Sequence, residues 1–162
     1  MIDLQLWSDD DLPLAERFLG DPRMMTHLGG PQTPDEIVKA HGRWCDAASN
    51  GRGGMFKVVS GSDVVGTIGF WHKRWRDEDI YETGWSVFPE FRGRGFALEA
   101  TGAIIERARA AGDRRHLHAF PHVENEASNA ICKKAGFTLL GPVEFEYPPG
   151  NFELSNDWVL DL

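Results

Sequence analysis

Arg92, Gly93, Arg94, Gly95, Phe96 and Ala97 are the residues best suited to chemistry. A strand-like run leads into them and an amphipathic helical stripe starts directly after. The two glycines let the backbone turn tightly and expose successive N–H groups at a helix N-terminus. That terminus carries about half a positive charge, and two arginines stand beside it. Together they form an anion cradle that suits a pyrophosphate. The pattern G-x-x-x-x-G-K-[ST] is absent. The dinucleotide pattern G-x-G-x-x-G fails because Leu98 stands where its third glycine belongs, and because the motif lies mid-chain rather than in an opening βαβ unit. The plain alternative is a glycine turn with exposed arginines and no ligand. The coincidence of strand, arginines, glycines and helix start favours the cradle.

His116 and His118 share one face of a predicted strand, with His122 just beyond, and metal sites can use such a pair. No Cys, Asp or further His completes a set of recognised spacing, so no metal is expected. Cys45 and Cys132 are the only cysteines, which excludes a disulfide framework and a Cys-rich zinc module. Both are expected to stay reduced. The chain holds 6 Trp and 10 Phe, enough for an aromatic-lined pocket as well as core packing. Trp71, His72, Trp75 and Trp85 are candidates for either use.

The chain of 162 residues is 41% hydrophobic and 26% charged, which predicts a single domain over residues 1–162 with a real core. It carries 17 Lys+Arg against 25 Asp+Glu, a net charge of −8. A sequence-independent nucleic-acid binder carries the opposite sign. No nucleic acid and no anionic membrane is expected as a partner, and an amine-bearing one suits the surface better. The N-terminal stretch shows no basic segment followed by an apolar run, and no stretch nears 18 uninterrupted apolar residues, so a cytoplasmic location is expected.

The elements that must position the cradle follow from periodicity and punctuation. Ile2–Trp7 reads as a strand, 10–19 as a helix, Gly20–Pro34 as loop and Pro34–Ala48 as a helix broken by Ser49–Gly54. Met55–Ser60, Val64–Trp71 and Tyr81–Phe88 read as strands, with Lys73–Asp79 as a charged loop. A helix follows from Ala97, with Thr101, Ile104, Ile105 and Ala108 on its apolar stripe. Arg115–Phe120 reads as a strand, Asn125–Ala135 as a helix closed by Gly136, and Phe137–Tyr147 and Asn151–Leu160 as a closing strand pair. The order is β1-α1-α2-β2-β3-β4-α3-β5-α4-β6-β7. It predicts an α/β (α+β) class fold with a mixed sheet and helices on both faces.

Arg92-x-x-Gly95-x-Ala97 resembles the acetyl-coenzyme A pyrophosphate loop, [QR]-x-x-G-x-[GA], of the GNAT superfamily of N-acetyltransferases. Val65–Phe70, Glu82–Ala100 and the run Asn125-x-x-Ser128-x-x-Ile131-Cys132-Lys133-Lys134-Ala135-Gly136-Phe137 are similar to signatures of its RimJ/RimL-like branch, in the same order. The resemblance covers about residues 1–160 and is densest over 64–141. It implies the GNAT fold, a mostly antiparallel sheet of about seven strands. It also implies acetyl-CoA as co-substrate, no metal, no covalent acetyl-enzyme, and an amine acceptor that is either a peptide N-terminus or a small molecule. Such proteins are monomers or homodimers.

The same resemblance implies the site residues. Ser86, Val87 and Phe88 would hold the pantetheine arm as a pseudo-strand. Backbone groups from Arg92 through Gly93, Arg94, Gly95 and Phe96 to Ala97 would hold the pyrophosphate, and Asn125 would be a further cofactor contact. Direct attack needs a neutral amine and hence a base. Glu82 matches an acidic position on the fourth strand, and alternation puts it on one face with Gly84 and Ser86; an ordinary strand carboxylate is the other reading. Glu78, Asp79, Glu144 and Glu146 are weaker candidates. Many relatives protonate the departing thiolate with a Tyr that here is Cys132. Ser128 matches the serine this branch uses instead, though it also falls where an Asn125 helix cap would act. The missing tyrosine leaves open a coenzyme A-binding sensor without catalysis, and the glycine turn alone leaves open a nucleotide-phosphate enzyme. Gly20–Pro34, Lys73–Asp79 and Tyr147–Asn151 are expected to shape the acceptor pocket.

Overall fold

Thr33 opens the second helix as its type and spacing predict. Its hydroxyl accepts the Glu36 N–H at 3.3 Å, and the Glu36 carboxylate accepts the Thr33 N–H at 2.8 Å. This reciprocal cap satisfies donors that the first turn leaves unpaired, and α2 spans Pro34–Ser49. The first helix is shorter than expected: Asp9–Asp11 form a 3-10 turn and α1 covers Leu12–Leu19. Asp11 ends the turn. Its carboxylate accepts the Ser8 N–H and hydroxyl at 2.8 and 2.9 Å and the Lys57 ammonium at 3.0 Å.

The computed structural model describes residues 1–50 and 53–162; the part of the predicted break after α2 at Gly51 and Arg52 lies outside them. The strands are β1 Asp3–Leu6, β2 Gly54–Ser60, β3 Asp63–Trp75, β4 Glu78–Val87, β5 His116–Ala119, β6 Thr138–Glu146 and β7 Phe152–Asp161. The remaining helices are α3 Phe96–Ala111 and α4 Glu126–Lys134. The element order is the expected one. One seven-stranded sheet runs β1-β2-β3-β4-β5-β7-β6, antiparallel except where β5 lies parallel to β4.

Strand alternation divides the core between two faces. On one, Val58, Ile68, Tyr81 and Leu117 pack with Ile104, Ala108 and Cys132 of α3 and α4. On the other, Trp7, Met55 and Phe88 pack with Phe18, Ile37 and Ala40 of α1 and α2. Each large apolar side chain buried this way contributes about 1.5–3 kcal/mol. Among the described residues no helix is long and apolar enough to cross a membrane.

The charged stretch Lys73–Asp79 is not a loop. Lys73 pairs with Ile80, Arg74 with Asp79 and Trp75 with Glu78. The turn is only Arg76 and Asp77, at φ 48° and 63°, a left-handed pair that suits the twist of a two-residue hairpin. Opposite charges cross the hairpin between Arg74 and Asp79 at 3.1 Å. The extension carries Lys73 and Trp75 beside the site.

β4 and β5 pair only at Tyr81, Glu82 and Thr83 with Leu117, His118 and Ala119. Past Thr83, β4 continues to Val87 with no strand on that side among the described residues, so the sheet opens in its middle.

Candidate active site

The opening exposes peptide groups of β4, and the β3 register shows which ones. The Phe88 N–H donates to the Val65 carbonyl at 2.9 Å. Hydrogen-bonded pairs alternate along an antiparallel ladder, so Ser86 shares that orientation toward Thr67, its β3 partner. The peptide groups of Trp85 and Val87 therefore point into the opening. Of Ser86, Val87 and Phe88, only Val87 turns its peptide toward the opening, its carbonyl accepting from Arg92 Nε, and Trp85 joins it. Phe88 is instead a core residue, 1% exposed and stacked on Phe18 with centroids 4.2 Å apart.

The chain next passes through the glycine turn. Gly93 and Gly95 sit at φ +74° and +84°, with nothing within 4 Å of where a Cβ would lie. The left-handed backbone selects glycine, and the open space above both residues leaves room for a ligand. Gly95 caps α3, and the first bond across that terminus is Glu99 N–H to Gly95 O at 3.1 Å. The N–H groups of Gly95, Phe96, Ala97 and Leu98 are the unpaired donors of a helix start, and a pyrophosphate fits them. The two arginines differ. Arg92, also exposed, is tied down: Nε donates to the Val87 carbonyl and Nη2 to the Arg23 carbonyl, both at 3.2 Å, linking the 20–34 loop to the end of β4. Arg94 is exposed at the cradle, its guanidinium 5.0 Å from the Phe96 ring.

Glu82 lies on the α1/α2 face, directly across from Trp71. Trp71 Nε1 donates to Glu82 Oε2 at 2.9 Å, and Lys73 Nζ lies 3.6 Å from the same oxygen. Oε1 has no hydrogen-bond partner among the described residues. The side chain is 13% exposed. Burial pushes its carboxyl above the ordinary range, against the opposing pull of Lys73, the Trp71 bond and His118. A carboxylate held this way is a stronger proton acceptor than one in water. Aromatic rings wall the space beside it. Lys73 Nζ sits 4.7 Å from the Phe145 centroid, Phe145 stacks on Phe120, and Trp75 meets Phe120 edge-on. Tyr147 lies near Glu82 as well and is 39% exposed; desolvation of its hydroxyl raises its pKa, Arg43 opposes that, and Glu82 adds to it. Trp71 and Trp75 thus line the space, whereas Trp85 packs in the α3/α4 core and His72 stacks on Tyr81, on the opposite face.

Across the opening, α4 begins at Asn125, whose Oδ1 accepts the Ser128 N–H at 3.1 Å. Asn125 is the cap, so Ser128 need not be. The Ser128 hydroxyl is half-buried and unbonded among the described residues. Cys132 is 0% exposed within the α3/α4 core, and burial pushes its thiol up to about 12. That placement removes it from the open site, and Ser128 carries the only hydroxyl on α4.

His116 and His118 share a face but not a ligand set: His116 pairs with Glu78 and Asp161, and His118 with Asp157. Asp9, His41 and Cys45 form the one His/Cys/acid trio among the described residues. There His41 Nδ1 accepts Trp7 Nε1–H at 3.0 Å and Nε2 meets the Asp9 carbonyl at 3.1 Å, so both ring nitrogens are committed.

Comparison with known proteins agrees with this geometry. A family model described as the acetyltransferase (GNAT) domain matches residues 2–138. The uncharacterized N-acetyltransferase YoaA of Bacillus subtilis (strain 168) is 32% identical over 79 residues, 49% of this chain and 44% of that protein. YnaD of the same strain is 31% identical over 88 residues, 54% and 51% of the two chains. The match thus spans about half the length of these curated relatives. Among solved structures, the ribosomal alpha-N-protein acetyltransferase RimL in complex with coenzyme A superposes with a TM-score of 0.80 at 19% identity, covering 99% of this chain and 94% of that one. The microcin self-immunity acetyltransferase MccE, in complex with acetyl-CoA and AMP, gives 0.80 at 16% identity over 99% and 92%. At such identities the likeness is one of fold. The family model covers most of the chain, from β1 through α4, and includes the opened β4, the cradle and the α4 start: the chain belongs to the GNAT family of acetyltransferases.

Proposed function

We propose that the protein is an acetyl-CoA-dependent N-acetyltransferase of the RimL-like type, acting on a primary amine that is either a peptide N-terminus or a small molecule. The observation that carries this reading is the placement of Glu82. It is buried, raised in pKa and lies on the β4 strand whose next residues open toward the cradle. Acetyl-CoA supplies an activated acetyl thioester. The open edge of Trp85 and Val87 suits the amide-bearing arm, and the α3 start with Arg94 suits the pyrophosphate.

Glu82 takes a proton from the incoming ammonium at Oε1, its uncommitted oxygen. Trp71 and Lys73 hold the carboxylate through Oε2. The aromatic wall excludes water and lowers the local dielectric around that transfer. Ser128 holds a hydroxyl proton at the α4 start for the sulfur that leaves. The test is a panel of amines and N-terminal peptides with acetyl-CoA, read by product mass and free thiol. Acetylated product is the expected result, and absence of transfer with intact coenzyme A binding would overturn the reading.

A further inference from the structure

Asp157 and His118 are 1% and 4% exposed, and neither has a part in the steps above. Asp157 Oδ1 lies 2.6 Å from His118 Nδ1, and Oδ2 accepts Trp75 Nε1–H at 3.0 Å. Burying a carboxylate and an imidazole costs several kcal/mol of solvation unless both are fully bonded. An apolar pair would fill the sheet face at lower cost.

The bonding fixes the imidazole. A carboxylate only accepts, so Nδ1 carries a proton toward Asp157, and in the neutral imidazole the lone pair is then on Nε2. Nε2 has no partner among the described residues. It is not among the fully sealed side-chain atoms left without a hydrogen bond there, so it keeps some exposure although the residue as a whole is 4% exposed. His118 is the β5 register partner of Glu82, on the same face and one strand spacing, about 4.8 Å, away. Phe120 stacks on its ring at 5.7 Å.

We propose that the Asp157–His118 pair is a second proton acceptor in the acceptor pocket, working beside Glu82 to carry the amine's proton to solvent. This rests on the acetyl-transfer reading. In that reaction the amine lone pair forms the C–N bond to the acetyl carbon, and the C–S bond breaks with its electron pair on sulfur. An ammonium nitrogen loses two protons on the way to the amide. One ends on sulfur and the other must reach solvent. Glu82, with burial favouring its neutral form, holds a proton but is a poor exit for it. His118 receives it at Nε2, and the imidazolium so formed is stabilised by Asp157. The charged and titratable groups around His118 are Glu82 on β4 with Lys73 on β3, Asp157 on β7, and His116 on its own strand, held by Glu78 and Asp161. Tyr147 lies near Glu82 and near Arg43 of α2.

The test is His118→Asn, whose amide nitrogen takes the place of Nδ1 and keeps the bond to Asp157 while removing the base. The expected result is a fall of about 100-fold in kcat/KM for the amine, with the KM for acetyl-CoA unchanged and one ionisation lost from the pH–rate profile. Asp157→Asn should move the same quantities in the same direction. A folded His118→Asn protein with wild-type amine kinetics and an unchanged pH profile would overturn the proposal. Nitrogen NMR of the wild-type protein labelled at the imidazole rings decides the matter even if the variants do not fold. A protonated Nδ1 with a bare Nε2 supports the relay, and the reverse tautomer overturns it. If the wild type acetylates no amine, the parent reading fails, an outcome distinct from an active wild type indifferent to His118.

Discussion

Trp71 and Glu82 face each other directly across β3 and β4, and the indole Nε1 donates to Glu82 Oε2 at 2.9 Å. The bond costs Glu82 some basicity, since it favours the charged form, yet burial outweighs it and the carboxyl stays above its ordinary range. The indole also fixes which oxygen is left for chemistry. The result is a carboxylate that is oriented and still receptive to a proton.

Glu82→Gln keeps the shape and the indole bond but cannot take a proton. Turnover should fall about 100-fold or more, with coenzyme A affinity unchanged by calorimetry. The pH dependence has a defined sign. In the wild type, kcat/KM should fall as pH drops through the raised Glu82 pKa, because the base becomes neutral. Stability moves the other way. A carboxyl raised on folding binds its proton more tightly in the folded state, so its stabilising effect is present at pH below the ordinary carboxylate range and is lost as pH rises through the folded value. Glu82→Gln should therefore melt at or above the wild-type temperature at neutral pH, with the difference vanishing in acid. A lower Tm at neutral pH would contradict the burial assigned to this group.

Gly95→Glu should abolish coenzyme A binding, measured by calorimetry. At φ +84° any side chain strains the backbone, by about 1–3 kcal/mol, and the added carboxylate enters the space the phosphates need. Gly95→Ala separates the two effects. It carries the strain without the charge, so it should lower Tm and weaken binding without eliminating it.

Arg92→Ala and Arg94→Ala should behave differently although both arginines belong to one motif. Arg92 loses its bonds to Val87 and Arg23, about 1 kcal/mol each. Its variant should lower Tm and loosen the 20–34 loop. Arg94 is exposed and bonds to no protein oxygen among the described residues. Its variant should leave Tm unchanged and weaken coenzyme A binding most at low salt, where an exposed charge acts furthest. Equal Tm losses would show that the tying role of Arg92 is misassigned.

That contrast marks where the sequence stopped being legible. The cradle could be read because its signal is local: two glycines, a strand before and a helix after. The element order could be read for the same reason. The β3–β4 extension was hidden because Lys73–Asp79 carries charge on both strand faces, which a ribbon projecting past the core tolerates, so no alternation marks it. The direction of the Arg92 guanidinium depends on Arg23, 69 residues away. The Asp157–His118 bond joins residues 39 apart, and Trp75 reaches Asp157 across 82. Such partners are fixed by topology, and no spacing in the sequence encodes them. Which of Ser86, Val87 and Phe88 faces the opening required the ladder phase, set by one bond from Phe88 to Val65.

The start of α4 separates a cap, a hydroxyl and a core thiol that the sequence places within seven residues of one another. Asn125→Ala removes the side chain that caps the Ser128 N–H and should cost about 1 kcal/mol of stability. Ser128→Ala leaves that cap in place and removes only an unbonded hydroxyl, so Tm should hold while the rate falls, most of all with poor leaving thiols. A normal rate in this variant would leave the hydroxyl without a part in catalysis. Cys132→Ala should do the reverse. It opens a small cavity in the α3/α4 core at about 1 kcal/mol and leaves turnover at the wild-type level. Since burial pushes the Cys132 thiol up to about 12 and the Cys45 thiol to about 11, neither presents a thiolate near neutral pH. Alkylation counted by mass at pH 8 should therefore be slow on both cysteines in the folded protein and rapid once denaturant exposes them. Fast labelling of Cys132 in the folded state would mean that the α4 start opens far enough to bring its thiol into the site.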